Sequence, residues 1–121
     1  MRVLQSVAAG LLGAASYTGG VRTAALGLCV HFFIALSAAA IFYLASRLLP
    51  ILIRYAVITG VLYGAVVYAA MNYVVLPLSA LPPRTTAAPT IVWVTGLLVH
   101  MFGIGLPIAL AARAASNSRG R

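Results

Sequence analysis

The chain has 121 residues, of which 64% are hydrophobic and 7% are charged; it contains no Asp, Glu or Lys, so all eight formal charges are arginine. Since a soluble domain carries about 25% charged residues, this composition excludes a water-soluble surface and predicts a protein solvated by lipid. The missing carboxylates also exclude Ser-His-Asp triads, paired-carboxylate hydrolases and Ca²⁺ or Mg²⁺ sites built from acidic side chains.

The N-terminal segment, residues 2–16, separates apolar from polar or small residues with helical spacing. The apolar side consists of positions 3, 4, 7, 8, 11, 12 and 15, and the other side includes Gln5, Ser6 and Ser16. This pattern predicts an amphipathic helix that lies along the membrane interface. Two alternatives stay open: a short fourth span, which would place Arg2 on the cytoplasmic side, and a signal peptide with a small-residue cleavage site near Ala15.

Three further segments are long and apolar enough to cross a bilayer, which takes about 20 residues. They cover residues 23–46, 55–78 and 90–112, and a basic tail follows at 113–121. Pro50 in the first connector and the Pro82-Pro83 pair in the second interrupt helices and mark turns. The sequence therefore predicts an all-α fold: a single membrane domain over 1–121, with a bundle of three transmembrane helices and the N-terminal interfacial helix.

The third span contains the segment "FGIGLP". Gly103 and Gly105 weaken a helix, and Pro107 has no amide hydrogen to donate to the Gly103 carbonyl. We expect a kink at this point. Broken helices line binding sites in transporters, but no inverted repeat accompanies this one, so a structural interpretation is favoured.

The arginines predict the orientation of the chain in the membrane. One set is expected on the cytoplasmic side by the positive-inside rule: Arg47, Arg54, Arg113, Arg119 and Arg121. The second connector holds only Arg84, so the C-terminus is predicted to be cytoplasmic. Because the chain has no acidic side chains, anionic lipid headgroups are the expected partners of these cations. The arginines are scattered between apolar runs and form no basic face for nucleic acid.

Four runs, "RVLQSVAAGLLG", "LGLCVHFFIALSAAAIFYLASRLLP", "YGAVVYAAMNYVVLPLSALP" and "GLPIALAAR", resemble a family of small, uncharacterised proteobacterial inner-membrane proteins. The likeness covers nearly the whole chain, and "MNYVVLPLSA" is its most specific part. The resemblance implies a bacterial inner-membrane location. Members of that family have a further apolar span before the "RVLQSVA" segment, so this chain is expected to begin after it. The resemblance implies no established activity.

Three strong hydrogen-bonding side chains, His31, Asn72 and His100, lie within the spans. At ~1.5 Å per residue they stand about 12, 9 and 15 Å from the outer ends of their helices. Small residues accompany the histidines at helical spacing, which favours an orientation toward neighbouring helices. We predict that all three side chains face the bundle interior as an intramembrane polar cluster.

The second span carries a small-residue stripe, Ala56, Gly60 and Gly64, of the kind that packs helices closely. Its presence predicts a structural or accessory membrane protein that associates through this stripe with itself or with a membrane-protein partner. The alternative is a small transporter or channel subunit that uses the polar cluster for a proton or small solute.

Neither a cofactor nor an enzymatic activity is predicted. Two histidines could serve as axial ligands to a haem, or bind a soft metal together with Cys29. However, Cys29 and His31 point about 160° apart on a helix, which disfavours a shared metal. No nucleophile and base stand at a spacing that demands their contact, so we predict no catalytic residues.

Overall fold

The computed structural model describes residues 1–82 and 88–120, and every regular element in these ranges is helical. Three helices there are long and apolar enough to span a membrane, Gly20–Leu48, Ala56–Leu78 and Thr90–Arg119. The predicted all-α fold with three membrane-spanning helices is therefore confirmed. Large apolar side chains point outward along these helices, such as Phe33, which is 72% exposed, and Ile91, which is 69% exposed. A water-soluble monomer rarely exposes so much apolar surface.

The elements follow one another with short connections. α1 (Arg2–Leu12) leads through a 3₁₀ helix (Gly13–Thr18) into α2 (Gly20–Leu48), α3 (Ile51–Arg54) and α4 (Ala56–Ala70). A first π-helical segment (Met71–Val75) and α5 (Leu76–Leu78) complete the second long helix. The third consists of α6 (Thr90–Leu98), a second π-helical segment (Val99–Gly105) and α7 (Leu106–Arg119). Gly13 and Gly20 have φ values of 64° and 59°, which residues with a side chain rarely adopt, and these glycines bound the α1–α2 turn.

The long helices differ from the predicted spans mainly at their ends. α2 starts before residue 23 and ends after residue 46, and α7 continues to Arg119. The segment 113–121 is predicted as a tail after the span, whereas most of it extends the helix. Ala and Arg, which recur in this segment, are strong helix formers. Arg84 and Arg121, on which the predicted orientation partly rests, lie outside the described residues.

Both π-helical segments end two residues before a proline. Leu76 and Pro77 follow the first segment, and Leu106 and Pro107 follow the second. A proline removes one backbone donor and its ring crowds the carbonyl four residues earlier, and a wider π turn accommodates both effects. The irregularity predicted at "FGIGLP" is thus a π-helical segment within a helix that continues on both sides. Pro77 gives the same signal in the second span, where the sequence interpretation predicts no irregularity.

The single domain expected from the sequence divides into two compact units. Unit 1 contains Met1–Leu36 and Met71–Ala87, and unit 2 contains Ser37–Ala70 and Ala88–Arg121. α2 and the second long helix each contribute to both units, so neither unit is a continuous piece of sequence.

In unit 1, α1 folds back against the first half of α2. Gly27 allows this approach because a β-carbon at that position would overlap the carbonyl group of Leu4. At the other end of α1, the Gly10 carbonyl accepts a hydrogen bond of 2.8 Å from the Ala80 amide. The close contact at Gly27 and the bond at Ala80 hold α1 to both other segments of the unit.

In unit 2, the second half of α2 packs with α4 and α7 around a small core that consists of Phe42, Ala56, Ala109 and Ala112. The rings of Phe42 and Tyr63 lie 5.0 Å apart between centroids. The Tyr63 hydroxyl donates a 2.6 Å hydrogen bond to the carbonyl of Ala38. Small side chains dominate this core, so the helix backbones approach one another closely.

Candidate functional site

His100 is half-buried in the second π-helical segment and contacts residues of unit 2. Its Nδ1 lies 2.8 Å from the Gly96 carbonyl oxygen. Since a carbonyl only accepts hydrogen bonds, Nδ1 carries the hydrogen in this contact. The imidazole lies 5.1 Å from the Tyr68 ring, which meets Trp93 edge-on at 6.2 Å. His100 therefore belongs to an aromatic cluster and is bonded to its own helix.

His31 and Asn72 both belong to unit 1, whereas His100 belongs to unit 2. Asn72 is half-buried in the first π-helical segment, but His31 is exposed on α2, with its ring centroid 6.1 Å from that of Phe32. The expectation that all three side chains face the interior therefore fails for His31. α1 covers Gly27 on this face of α2, but its cover does not extend to His31, one turn farther along.

The best-connected polar group of unit 1 is not among the site residues that the sequence predicts. Gln5 is 6% exposed, and its amide nitrogen lies 3.3 Å from the Gly20 carbonyl oxygen and 3.5 Å from Thr23 Oγ1. Ser16 is fully buried, and its hydroxyl donates a hydrogen bond of 2.9 Å to the Gln5 backbone carbonyl. The Ser16 carbonyl accepts a hydrogen bond of 2.6 Å from the Thr23 hydroxyl. These hydrogen bonds are all made inside the protein, so the group holds the α1–α2 turn together.

This network departs from the predicted orientation of α1 at Gln5. An interfacial helix would turn Gln5 toward water and its apolar side toward the protein or lipid. In the structure Gln5 and Ala9 of the polar or small side are buried together with Ala8 of the apolar side. Ser6 of the polar side is exposed, as are Val3 and Leu11 of the apolar side, at 77% and 62% for the last two. The buried side of α1 is thus the side that contacts α2, and the Gln5 side chain in it is hydrogen-bonded, as a buried polar group requires.

The small-residue stripe Ala56, Gly60 and Gly64 is buried inside unit 2. A β-carbon on Gly60 would stand 2.7 Å from the Ala109 Cβ, and one on Gly64 would stand 2.5 Å from the Met101 Cα. The third long helix of the same chain therefore covers the stripe. This face is already filled, which corrects the expectation that it contacts a second copy or a partner.

The described arginines of the predicted cytoplasmic set are all exposed; they are Arg47, Arg54, Arg113 and Arg119. Three of these guanidinium groups lie against tyrosines. Arg47 and Arg119 contact Tyr43, and Arg54 lies over the Tyr55 ring, with its Cζ 5.5 Å from the centroid. Contacts of this kind attract a guanidinium group to the face of an aromatic ring and give these exposed arginines partners within the chain.

Unit 1 also contains an open, apolar groove of about 950 Å³ between α1, α2 and the segment after Asn72. Cys29, Phe33 and Val74 line it, and the hydroxyl groups of Ser6 and Ser79 at its wall bond to carbonyls of their own helices. Its walls thus offer hydrocarbon contact and little polar recognition. Among the residues that the structure describes, no three side chains of His, Cys, Asp or Glu are grouped to hold a metal ion.

Comparison of the chain with protein-family models, curated proteins and solved structures finds no match.

Proposed function

We propose that the chain is a multi-pass membrane protein with a structural or accessory role, and that its helices are held together by small-residue packing. The observation that carries this proposal is the close crossing of Gly60 and Gly64 with the backbone of the third long helix between His100 and Leu106. Without a hydrophobic driving force between helices in lipid, backbone approach and dense packing are what stabilise a membrane helix pair. A structural role needs no more than this packing.

Contacts with another copy or with a membrane-protein partner use other faces of the chain under this proposal. The stripe of the second long helix is filled from within, whereas α2 and α6 carry rows of exposed apolar side chains, including Phe33, Leu36, Ile91 and Val94. Lipid or a partner helix covers such side chains equally well, since both are apolar.

The proposed location is the bacterial inner membrane with a cytoplasmic C-terminus. The support is the arginine distribution in the sequence together with the resemblance to small proteobacterial inner-membrane proteins, to which we propose that this chain belongs. Reporter fusions at Arg121 and within the second connector test the orientation. A C-terminal fluorescent fusion should fold and emit, and an alkaline phosphatase inserted after Arg84 should be active. The reverse pattern of activity would overturn the orientation.

A second candidate function, a proton- or solute-conducting subunit, is favoured by one observation. The two π-helical segments contain Asn72 and His100, and π turns are frequent at functional sites. The prolines that follow both segments provide a structural reason for the same geometry. The hydrogen bond of His100 to its own helix also gives the imidazole a partner within the chain. We therefore rank the accessory role first.

Replacing both histidines separates the two functions. The variant His31→Leu/His100→Leu and the unmodified chain are reconstituted in vesicles that contain a pH-sensitive dye, and a pH gradient is applied. The accessory role predicts no proton flux above empty vesicles for either protein, with equal membrane yield. Flux through the unmodified chain that the double variant lacks would instead establish the conducting role.

A further inference from the structure

A polar cleft lies at one end of unit 2, between the end of α2 and the end of α7. It has a volume of about 210 Å³ and is lined by Tyr43, Ser46 and Arg47 of α2 and by Ser116 and Arg119 of α7. One water molecule accounts for only about 30 Å³ of liquid, so the cleft has room for a small polyatomic group. Neither the accessory role nor the conducting role makes use of it.

Two guanidinium groups converge on Tyr43 in this cleft. Nη1 of Arg47 donates to the Tyr43 hydroxyl at 3.5 Å, and Cζ of Arg119 lies 5.6 Å from the centroid of the same ring. Like charges held near one another repel, and the chain has no Asp or Glu side chain to neutralise them. An anion between the two arginines would remove this repulsion.

We propose that this cleft binds a phosphate group. Arginine presents N–H donors in a planar fork that matches phosphate oxygens, and two such forks can surround one group. The Tyr43 hydroxyl accepts from Arg47 and keeps its own hydrogen to donate, and the exposed Ser116 hydroxyl lines the same cleft. Ser46 also lines the cleft but is buried, and its hydroxyl donates a hydrogen bond of 2.6 Å to the Tyr43 carbonyl.

Binding at this place depends on the arginines. The cleft adjoins the carbonyl ends of α2 and α7, where the helix dipoles by themselves disfavour an anion. Arg47 and Arg119 are in the last turns of their helices and supply the positive charge that outweighs this effect. Neutralising them should therefore weaken phosphate binding strongly, because the helix ends alone do not attract an anion.

The phosphate can belong to an anionic phospholipid or to free inorganic phosphate. The lipid source rests on the proposed cytoplasmic orientation, because the cytoplasmic leaflet carries anionic lipids and both arginines stand near the ends of apolar helices. A phosphate diester headgroup and an inorganic phosphate offer similar oxygen atoms to the two guanidinium groups, and the test distinguishes them.

The experiment uses the full chain in non-ionic detergent. Native mass spectrometry measures binding of phosphatidylglycerol and of diacylglycerol with the same acyl chains, and calorimetry measures binding of inorganic phosphate. The variant Arg47→Gln/Arg119→Gln is compared with Arg54→Gln, which removes one cation that also lies over a tyrosine but outside the cleft. Circular dichroism checks helicity. If the double variant loses helicity, the binding of the single variant Arg119→Gln is compared with that of Arg54→Gln instead, since Arg119 is an exposed residue in the last turn of α7.

We expect one phosphatidylglycerol to bind per chain and little diacylglycerol to bind. Phosphatidylglycerol binding should weaken about ten-fold or more in the double variant, because its charged hydrogen bonds are lost. In Arg54→Gln, which keeps those bonds, binding should weaken less than about two-fold. Binding of inorganic phosphate as well would identify the free anion as a ligand, and its absence would identify the lipid headgroup. Equal binding of diacylglycerol, equal losses in the two variants, or no binding would overturn the proposal. Helix packing, on which the proposed function rests, is unaffected by either outcome.

Discussion

Gly105 lies so close to Gly64 that a β-carbon on Gly105 would stand 2.6 Å from the Gly64 Cα. Neither position tolerates a side chain, so the second and third long helices cross backbone to backbone in unit 2. The other glycine of the third helix in this region, Gly103, is exposed, and a β-carbon there would meet only Val99 at 3.8 Å. The chain thus contains a buried and an exposed glycine two residues apart on one helix.

The first prediction follows from this pair. Gly105→Ile should force the helices apart and destabilise the protein by roughly 1–3 kcal/mol, the usual range for overpacking a tight contact. Gly103→Ile is the matched control and should change stability little. Unfolding in mixed micelles with a denaturing detergent, followed by circular dichroism, measures both variants. Equal stability of the two would show that the crossing is not what holds unit 2 together.

The hydrogen bond from Tyr63 to the Ala38 carbonyl gives a second prediction. Tyr63→Phe removes the donor and keeps the ring that packs on Phe42, so the loss should be small, about 0.6 kcal/mol on average and at most ~2 for a membrane protein. Tyr73, which is 73% exposed, offers the control Tyr73→Phe with no expected loss. The same detergent unfolding measurement applies, and a greater loss in Tyr73→Phe would contradict the assignment.

A third prediction concerns the buried polar network of unit 1. Ser16→Ala removes the donor that bonds to the backbone carbonyl of Gln5, and Gln5→Ala removes the side-chain contacts to Gly20 and Thr23. Either substitution leaves buried polar groups with fewer partners, so we expect a loss of about 1–3 kcal/mol in the stability of the α1–α2 turn.

The control for this network is Ser6→Ala. The Ser6 hydroxyl is exposed and donates to the Val3 carbonyl of its own helix. Hydrogen exchange of the α1 amides in detergent measures the effect, and exchange should accelerate in the Ser16 and Gln5 variants but not in Ser6→Ala. Unchanged exchange in all three would mean that the network does not hold α1 in place.

The fourth prediction tests the approach of α1 to α2. Gly27→Val places a side chain where the Leu4 carbonyl lies, so α1 should detach from α2 while the long helices stay folded. Ala25→Val, at an exposed position two residues earlier, is the matched control. Protease cleavage within residues 2–18 of the reconstituted chain reports detachment. Resistance equal to that of the control would show that α1 does not depend on this contact.

Much of the fold could be predicted from the sequence because the amino-acid composition alone indicates lipid, and not water, as the surroundings of the chain. A chain without Asp, Glu or Lys, with long apolar runs separated by prolines, satisfies its backbone in lipid by forming helices. The positions of the three long helices follow from those runs. Their ends differ from the prediction because helix formers extend α7 through the predicted tail.

The candidate site was harder to predict because hydrophobicity does not encode which side of a membrane helix faces the protein. Lipid and a packed helix are equally apolar surroundings, so the residues on the side of α2 that carries His31 do not reveal whether another helix covers that side. The burial of Gln5 and the filling of the Gly60 and Gly64 face by the third long helix depend on which helices meet.

By itself, then, the sequence determined that the chain is helical and which segments are long and apolar enough to cross a bilayer, because these follow from the transfer of side chains and backbone between water and lipid. Only the tertiary structure decided which small residues touch, which polar groups bond to one another and where two arginines converge on Tyr43. Those outcomes depend on close approach between segments distant in the sequence, and the presence or absence of a single β-carbon decides them.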